Sequence, residues 1–309
     1  MAFLSVRRRK GLTERRSFGD KIFDAVNFGI LTVVFILVAY PLYFIIISSV
    51  SEPVAVAGGR VIFFPIGLTL DGYKKVFGNP DVMRGFMNSV YYTVLGVAIN
   101  LAVTLPTAYA LSRNDFYGRK AISIFYIITM FVSGGLIPTY LVIRSLKMLD
   151  TVWALVIPGA LSVYNMMVAR TFFKSNIPNE LLDAARIDGC SNTMFFFRIV
   201  LPLSSAIIAI LVLWYGVGHW NSYFSALLYI GRREQQTLQL ELRYILLLNT
   251  QTYQAAMSAE EVAERDRLEA LKEMMKYSLI IVSSLPVLIL YPFIQKHFVK
   301  GVIVGSLKG

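Results

Sequence analysis

Six long apolar stretches without a charged side chain dominate the sequence. Each is near or above the roughly 20 residues that a helix needs to cross a bilayer. The chain is 56% hydrophobic and only 16% charged, whereas about a quarter of the residues of a soluble domain are charged. The sequence therefore predicts an all-α membrane protein with six transmembrane helices. The predicted spans are 28–50, 86–111, 121–143, 152–169, 199–228 and 277–295.

The fifth and the first of these stretches differ from a simple transmembrane span. The fifth is too long for one straight span, so we expect a span that ends near Trp220 and a shorter apolar helix at the outer surface. The first is not a cleaved signal peptide, because its apolar core is too long and Pro41 interrupts it. Residues 17–28, just before it, are predicted to form a short amphipathic helix in the inner interface, which orients the first span.

The distribution of positive charge gives the spans a direction. With six spans, the two tails and the 112–120 and 170–198 loops lie on one side of the membrane. These segments hold 17 of the 30 Lys and Arg residues, and their net charge is about +10 against about +1 for the rest. Lys and Arg concentrate on the cytoplasmic side, so we expect a multi-pass protein with both termini in the cytosol. The arginine-rich start is interpreted as a topology anchor rather than as an arm that binds nucleic acid.

The inner loop between spans four and five is predicted to form two short helices. Pro178 favours a first helical turn, and Glu180 places negative charge near the helix N-terminus. Gly189 is a natural stop, because glycine adopts the left-handed conformation without a β-carbon penalty. Ser191 or Asn192 can then cap a second helix that leads into span five.

The first of these helices is unusually apolar for an exposed loop. Leu181, Leu182, Ala185 and Ile187 are apolar, and Ala184 beside Ala185 leaves a smooth, closely approachable surface. Such a helix suits a groove on another protein. An amphipathic helix that folds back on its own bundle explains the same pattern. The residues alone support the two interpretations equally.

A resemblance to a known protein family distinguishes these two interpretations of the helix. Asp183-Ala-Ala-x-x-x-Gly189, followed after nine residues by Ile199-x-Leu201-Pro202, resembles the EAA loop of ABC importer permeases. One position departs, since the family has Glu where this chain has Asp183. Four further segments resemble the maltose-transporter type, nearest its LplC/YtcP branch, which is associated with the uptake of complex oligosaccharides. They are Ser133-Gly-Gly-Leu-Ile-Pro-Thr-Tyr140, Ala154-Leu-Val-Ile-Pro-Gly-Ala160, Gly218-His-Trp-Asn221 and the tail 295–309.

The resemblance implies the type I importer permease fold, in a bacterial cytoplasmic membrane, and several partner proteins. A second, homologous permease completes the path. Two ABC ATPase subunits hydrolyse ATP with Mg²⁺, so this chain itself binds no cofactor. An extracellular solute-binding protein, in the form of a lipoprotein, delivers the solute, and the first helix of the inner loop docks in a cleft of an ATPase subunit. The residues implied in ATPase coupling are Glu180, Asp183, Ala184, Ala185, Arg186, Gly189 and Pro202.

The predicted organisation follows from the spans and this resemblance. The outer loop 231–276 contains Ser258 and Glu261 at capping-box spacing, so a charged helix of about 18 residues is expected to lead into span six. It is either a solvated extension of the span or a docking surface for the solute-binding protein. The predicted units are a cytosolic tail with its interfacial helix (1–27), a six-span permease domain with its coupling loop (28–295 and 175–202) and a cytosolic C-terminal tail that reaches between the ATPase subunits (296–309).

The sequence lacks the residues that several alternative functions require. The sequence has no Gly-x-x-x-x-Gly-Lys-Ser/Thr phosphate loop, so we expect no ATPase site in this chain. The predicted spans contain no Asp, Glu, Lys or Arg, which a proton- or sodium-coupled carrier needs at membrane depth. A membrane enzyme would need a catalytic constellation, yet His219 and Ser222 have no orienting acid nearby. One cysteine, Cys190, and two histidines argue against a disulfide or a metal site.

A sugar path needs hydrogen-bonding groups and aromatic faces. Most such side chains in spans serve instead as contacts between helices or as interfacial aromatics. An ABC importer permease for a non-sugar solute remains the alternative, although it would lack the matches at 218–221 and 295–309. The candidates for substrate contact are Tyr91, Asn100, Asn165, Trp220 and Asn221.

Overall fold

The computed structural model describes residues 18–248, 270–290 and 292, and every regular element in these ranges is helical. A π-helical turn (Phe196–Val200) and a 3-10 turn (Arg233–Gln235) interrupt the α-helices. The α-helices in chain order are α1 (Phe18–Ser49), α2 (Pro53–Ala57), α3 (Asp71–Gly78), α4 (Pro80–Ser112), α5 (Arg119–Phe131), α6 (Leu136–Ser145), α7 (Trp153–Val156), α8 (Val163–Asn176), α9 (Asn179–Ile187), α10 (Asn192–Phe195), α11 (Leu201–Leu203), α12 (Ser205–Trp220), α13 (Phe224–Tyr229), α14 (Leu238–Leu248) and α15 (Ala270–Leu290).

Three of the described helices, α1, α4 and α15, are each long and apolar enough to cross a membrane. Two bent pairs pass the same test together. The α5–α6 pair bends by 114°, and the pair formed by Asn192–Leu203 and α12 bends by 80°. By length and composition, the described part of the chain therefore has three to five candidate spans rather than the six that the sequence predicts.

The difference arises where glycine and proline interrupt the backbone. Span four, predicted over 152–169, is split between α7 and α8, and Pro158 lies in the gap, where it can donate no backbone hydrogen bond. Span three, predicted over 121–143, breaks at 132–135. Gly135 there has a φ of +87°, a conformation that glycine adopts readily. Both predicted spans are thus helical but broken.

The first helix also differs from its prediction. Residues 18–28 do not form a separate interfacial helix; they are the first turns of α1, which has 32 residues. At 1.5 Å per residue such a helix is about 48 Å long, well beyond the roughly 30 Å hydrocarbon core. Only 6% of its most apolar window is buried, as expected of a helix that contacts lipid or another subunit.

The predicted division of the fifth apolar stretch into two helices is confirmed, whereas the place of the second helix at the outer surface stays a prediction. Helix α12 ends at Trp220, and the short apolar helix α13 follows it. The predicted helix from Ser258 lies mostly outside the described residues, as do the arginine-rich start and the tail 296–309.

Helix α4 lies at the centre of the described bundle and packs against α8, α12 and α14. The largest hydrophobic core joins α4, α8 and α12 to α9 and α10 at one end of the bundle. Its buried members include Leu111, Met166, Phe173, Phe195, Ile207 and Leu211. The predicted coupling helix is therefore built onto the main core of the protein.

Candidate functional site

Helix α9 begins and ends where the sequence predicts. Pro178 precedes its first residue, and Glu180 lies in its first turn. At the other end, Gly189 has a φ of +76°. The Gly189 N–H donates to the Arg186 carbonyl at 3.0 Å, and the Cys190 N–H donates to the Ala185 carbonyl at 2.9 Å. These two hydrogen bonds satisfy carbonyl groups in the last turn of α9 that would otherwise have no partner within the helix.

The two faces of α9 have opposite environments. Leu182 and Ala185 are buried in the main core. On the other face, Asp183 and Ala184 are exposed, and the apolar side chain of Ile187 is 87% exposed. The helix is thus fixed to the bundle by one face and presents a small, partly apolar ridge on the other.

The chain then turns into α12 through an irregular segment. The Ser191 hydroxyl accepts a hydrogen bond from the Met194 N–H at 3.2 Å, which confirms one of the two predicted caps. The π-helical turn and then α11 follow α10. Pro202 lies in α11 and is exposed, and an 80° bend separates α11 from α12. Pro202 therefore lies beside the bend, in the segment that joins α9 to α12.

A charged pair beside α9 was not predicted. Arg186 donates through Nη2 to the Asp115 carboxylate at 2.8 Å, and Asp115 lies in the turn between α4 and α5. Arg113 donates to both oxygens of the same carboxylate. Hydrogen bonds from Arg113 first, and from Arg186 second, hold the pKa of Asp115 well below its usual range. The carboxylate is therefore charged throughout the physiological pH range.

A cavity of about 330 Å³ opens next to the start of α9. It lies between the end of α4, the end of α8 and the first turn of α9. Its polar lining includes Arg113, Asn114, Lys174 and Glu180. Among the predicted coupling residues, Glu180 therefore faces this cavity, whereas Arg186 is engaged with Asp115.

Asn100, a predicted substrate contact, is fully buried. Its amide nitrogen donates to the carbonyls of Gly159 and Ala160 at 2.6 and 2.9 Å. Its amide oxygen lies 2.7 Å from Nε2 of His219. In this structure Asn100 thus satisfies the open backbone of the break between α7 and α8.

A second buried contact supports the same break. The hydroxyls of Thr104 and Tyr215 lie 2.8 Å apart, and the Tyr215 oxygen also accepts from the Ser162 N–H at 3.2 Å. Together with Asn100, these side chains tie α4 and α12 to the gap before α8. Polar groups at membrane depth need such internal partners.

The other predicted path residues are spread over the bundle. Trp220 is buried and donates from its indole nitrogen to the Ser283 carbonyl at 2.8 Å. Asn165 is also buried, whereas Tyr91 is 56% exposed. Asn221 is exposed and lines a separate cavity of about 340 Å³. The structure does not bring these side chains into one site.

Polar side chains in the N-terminal part of α4 do converge, on the segment that follows α13. Asn88 donates to the carbonyls of Glu234 and Gln236 at 2.9 and 3.0 Å, and the Tyr92 hydroxyl donates to the Gln235 carbonyl at 2.9 Å. The four-residue spacing that puts Asn88 and Tyr92 on one face of α4 is visible in the sequence, but the carbonyls that they bind lie more than 140 positions away. They fix the start of the predicted outer loop.

A buried carboxylate lies beside this segment. Glu241 is 2% exposed, and burial raises the pKa of its carboxyl group. Arg233 is its nearest cation, 3.9 Å away, and also contacts Asp81 at 2.9 Å. Across the described ranges, no group of three or more His, Cys, Asp or Glu side chains could hold a metal ion.

Comparisons with known proteins agree on one family. The family model described as "Binding-protein-dependent transport system inner membrane component" matches residues 82–304. Protein LplC of Bacillus subtilis is 39% identical over 96% of this chain and 98% of its own length. The polygalacturonan/rhamnogalacturonan transport system permease protein YtcP of the same organism is 36% identical over 94% of this chain and 99% of its own length.

A solved structure agrees as well. It is the crystal structure of a bacterial ABC transporter involved in the import of the acidic polysaccharide alginate. One of its chains is similar to this one with a TM-score of 0.83 and 29% identity, over 93% of this chain and 100% of that chain.

Proposed function

Because the chain belongs to the family of binding-protein-dependent transport system inner membrane components, we propose that it is one of two permease subunits of an ABC importer for a complex oligosaccharide. One observation carries the proposal. Helix α9 is held in the core by Leu182 and Ala185, and it presents Asp183, Ala184 and Ile187 outward. A short, firmly seated helix with an exposed ridge is suited to transmit force from a partner that grips it.

The proposed topology has six spans and cytosolic termini. Helices α1, α4 and α15 are three of them, and the two bent pairs are two more. The split α7–α8 segment completes the set. Breaks at membrane depth are tolerated where protein satisfies the backbone, and Asn100 does so at Gly159 and Ala160. Positive charge at the inner loops supports this orientation.

ATP hydrolysis takes place on partner subunits. Two ABC ATPase chains bind ATP and Mg²⁺, and α9 docks on one of them through Asp183, Ala184 and Ile187. When the ATPases close, α9 moves with them, and the bend beside Pro202 passes the displacement to α12. Leu182 and Ala185 couple the same displacement to α4 and α8 through the shared core.

The class of substrate is inferred from relatives. Their names include transport of polygalacturonan/rhamnogalacturonan and of arabinooligosaccharides, and the similar solved structure concerns alginate. All are chains of sugars, and most of these relatives match nearly the whole chain. An extracellular solute-binding lipoprotein would deliver the oligosaccharide, with the outer loop 231–276 as a docking surface.

Reconstitution tests this function. The chain is co-expressed with a candidate partner permease, ATPase and binding protein from the same genome, and the complex is purified into proteoliposomes. We expect ATPase subunits to co-purify and oligosaccharide uptake to require both ATP and the binding protein. Uptake that proceeds without ATP would contradict the proposal. A monosaccharide or peptide transported in place of the oligosaccharide would contradict the substrate class alone.

A further inference from the structure

The turn between α4 and α5 contacts the coupling helix through one carboxylate. Asp115 in this turn accepts a 2.8 Å hydrogen bond from Arg186, 71 positions along the chain. Arg186 also lies 4.0 Å from Asp183 on its own helix, so its closest carboxylate partner is Asp115. The pair is half-exposed, at 47% for Arg186 and 46% for Asp115, and it bridges two segments that are distant in sequence.

Asp115 is itself held firmly in place. Arg113 donates from Nε to Oδ1 at 2.8 Å and from Nη2 to Oδ2. Such a two-point contact between guanidinium and carboxylate fixes both position and orientation. The remaining nitrogen of Arg113 donates to the Tyr109 hydroxyl at 2.7 Å, so the carboxylate is anchored to the last turns of α4.

The same turn is braced toward α5. Arg119, the first residue of α5, donates to the Arg113 carbonyl at 2.9 Å and to the Asn114 side chain at 2.6 Å. The turn therefore joins α4 and α5 as a stiff unit. A force applied to Asp115 reaches both helices.

We infer that Asp115 is a positioning residue of the coupling site, which links α9 to the α4–α5 turn and so carries the movement of α9 to helices that the peptide backbone does not join to it. The inference rests on the proposed function. Along the backbone α9 is attached only to α8 and α10, whereas α4 packs against α8, α12 and α14. The link through Asp115 adds a direct polar contact to the apolar packing of α9.

A purely structural role for this contact would have a small effect. Half-exposed ion pairs contribute little to stability, and the core side of α9 remains packed without it. A coupling role predicts a different outcome, in which the complex assembles normally but ATP hydrolysis no longer responds to the binding protein. Stimulated ATPase activity separates the two.

The first test replaces Asp115 by Asn, which keeps the shape and removes the charge. We expect unchanged assembly with the ATPases, a roughly tenfold loss of uptake and loss of stimulation by the binding protein. Asp115→Glu should restore most of the stimulation, since it keeps the charge. Lys120→Gln is the control, because it removes a charge from an exposed side chain near the same turn. Normal stimulation in Asp115→Asn would overturn the inference.

The second test rebuilds the link covalently, and it decides the matter if Asp115→Asn assembles poorly. Cys190 is the only cysteine of the chain, so Cys190→Ser gives a background without thiols. Asp115→Cys and Arg186→Cys are added and joined by a short bis(methanethiosulfonate) reagent, which forms one disulfide with each thiol, releases methanesulfinate and is cleaved again by a reductant. We expect the joined protein to regain binding-protein-stimulated ATPase activity and to lose it on reduction. A joined protein that stays unresponsive would overturn the inference.

Uptake by the unmodified complex distinguishes a failure of the inference about Asp115 from a failure of the proposed function. If the unmodified complex shows ATP-dependent uptake and the Asp115→Asn variant behaves just as the unmodified complex does, the inference about Asp115 fails alone. If the unmodified complex takes up oligosaccharide without ATP, the proposed function fails, whatever the variants do.

Discussion

Asn100 and His219 meet at 2.7 Å, amide oxygen to imidazole Nε2, where α4 packs against α12. The amide nitrogen of Asn100 points the other way, to two backbone carbonyls in the break before α8. The Asn100 side chain thus links α4 both to α12 and to the backbone between α7 and α8. These protein partners account for its position, and contact with a sugar stays a prediction.

Asn100→Ala should therefore lower stability. The change leaves the carbonyls of Gly159 and Ala160 and the ring of His219 without this partner, and each lost hydrogen bond costs roughly 0.5–1.5 kcal/mol. We expect a clear fall in the melting temperature of the purified complex. Asn176→Ala is the matched control, because Asn176 also donates to a carbonyl, that of Phe172, but at an exposed site. Unchanged melting with weaker sugar binding would instead favour the path role predicted from the sequence.

Gly96 provides the space for the His219 ring. A β-carbon at Gly96 would lie 2.4 Å from Nε2 of His219, so Gly96→Ala should displace the ring and break its contact with Asn100. We expect a lower melting temperature than that of the parent protein. Combining the change with His219→Ala should cost less than the sum of the two single changes, because the clash is then removed.

Gly216→Ala is the control for Gly96. It lies on α12, and a β-carbon there would be 3.8 Å from Val97, an ordinary van der Waals distance. We expect no loss of stability in this variant. Equal losses at both glycines would mean that helix packing in general, rather than the His219 ring, is sensitive to added volume.

The sequence predicts the parts of this fold that depend on local chemistry. Apolar runs locate the helices, Gly189 ends α9 and Ser191 caps α10, because each signal acts within a few residues. The resemblance to ABC importer permeases near LplC and YtcP is confirmed. The lack of a phosphate loop agrees with a permease subunit that is not itself an ATPase.

Features that depend on distant partners could not be predicted. Asp115 gives no sign in the sequence that it meets Arg186, since the contact requires the α4–α5 turn to fold against α9. The contacts of Asn100 are a second example, since the carbonyls of Gly159 and Ala160 that it binds lie 59 and 60 positions away; its role in the sugar path stays a prediction. The continuity of α1 (Phe18–Ser49) has a different, local reason: an amphipathic start and an apolar span can share one helix, and the sequence pattern does not show whether the two are joined.

Glu241 should make the stability of the protein depend on pH. Burial raises the pKa of its carboxyl group, so the folded protein keeps this proton at pH values where the unfolded chain has lost it. The free energy of unfolding therefore falls as the pH rises through the raised pKa. Asp81, Arg84 and Arg233 also act on this group. We expect Glu241→Gln to flatten the dependence of the melting temperature on pH above the ordinary glutamate pKa of about 4.3.

The arginine partner gives this prediction a control. Arg233 is 65% exposed and 3.9 Å from Glu241, so Arg233→Gln should raise the pKa of Glu241 further and steepen the pH dependence. A parent protein whose melting temperature rises with pH over this range would have the opposite sign and would refute the assignment to Glu241.

Gly189 tests the end of the coupling helix by conformation alone. Its φ is +76°, and a β-carbon there would meet nothing within 4 Å. Asn tolerates this conformation better than other residues with side chains, whereas a β-branched residue does not. We expect near-normal uptake in Gly189→Asn and at least tenfold lower uptake in Gly189→Val, with both inserted in the membrane. Equal uptake in the two variants would show that the turn after α9 does not need this backbone.

Ile187 tests the docking ridge most directly, because little of its side chain contacts its own protein. It is 87% exposed, so Ile187→Ser should leave the melting temperature of the permease unchanged. An apolar side chain that fills a partner's groove often contributes more than 1 kcal/mol to binding, and we expect at least a fivefold weaker association with the ATPase subunits. Tyr117→Ser is the control, since Tyr117 is 98% exposed on the nearby α4–α5 turn. If Ile187→Ser binds the ATPases as tightly as the parent does, the outward face of α9 is not the surface that they grip, and the buried face must act through the core instead.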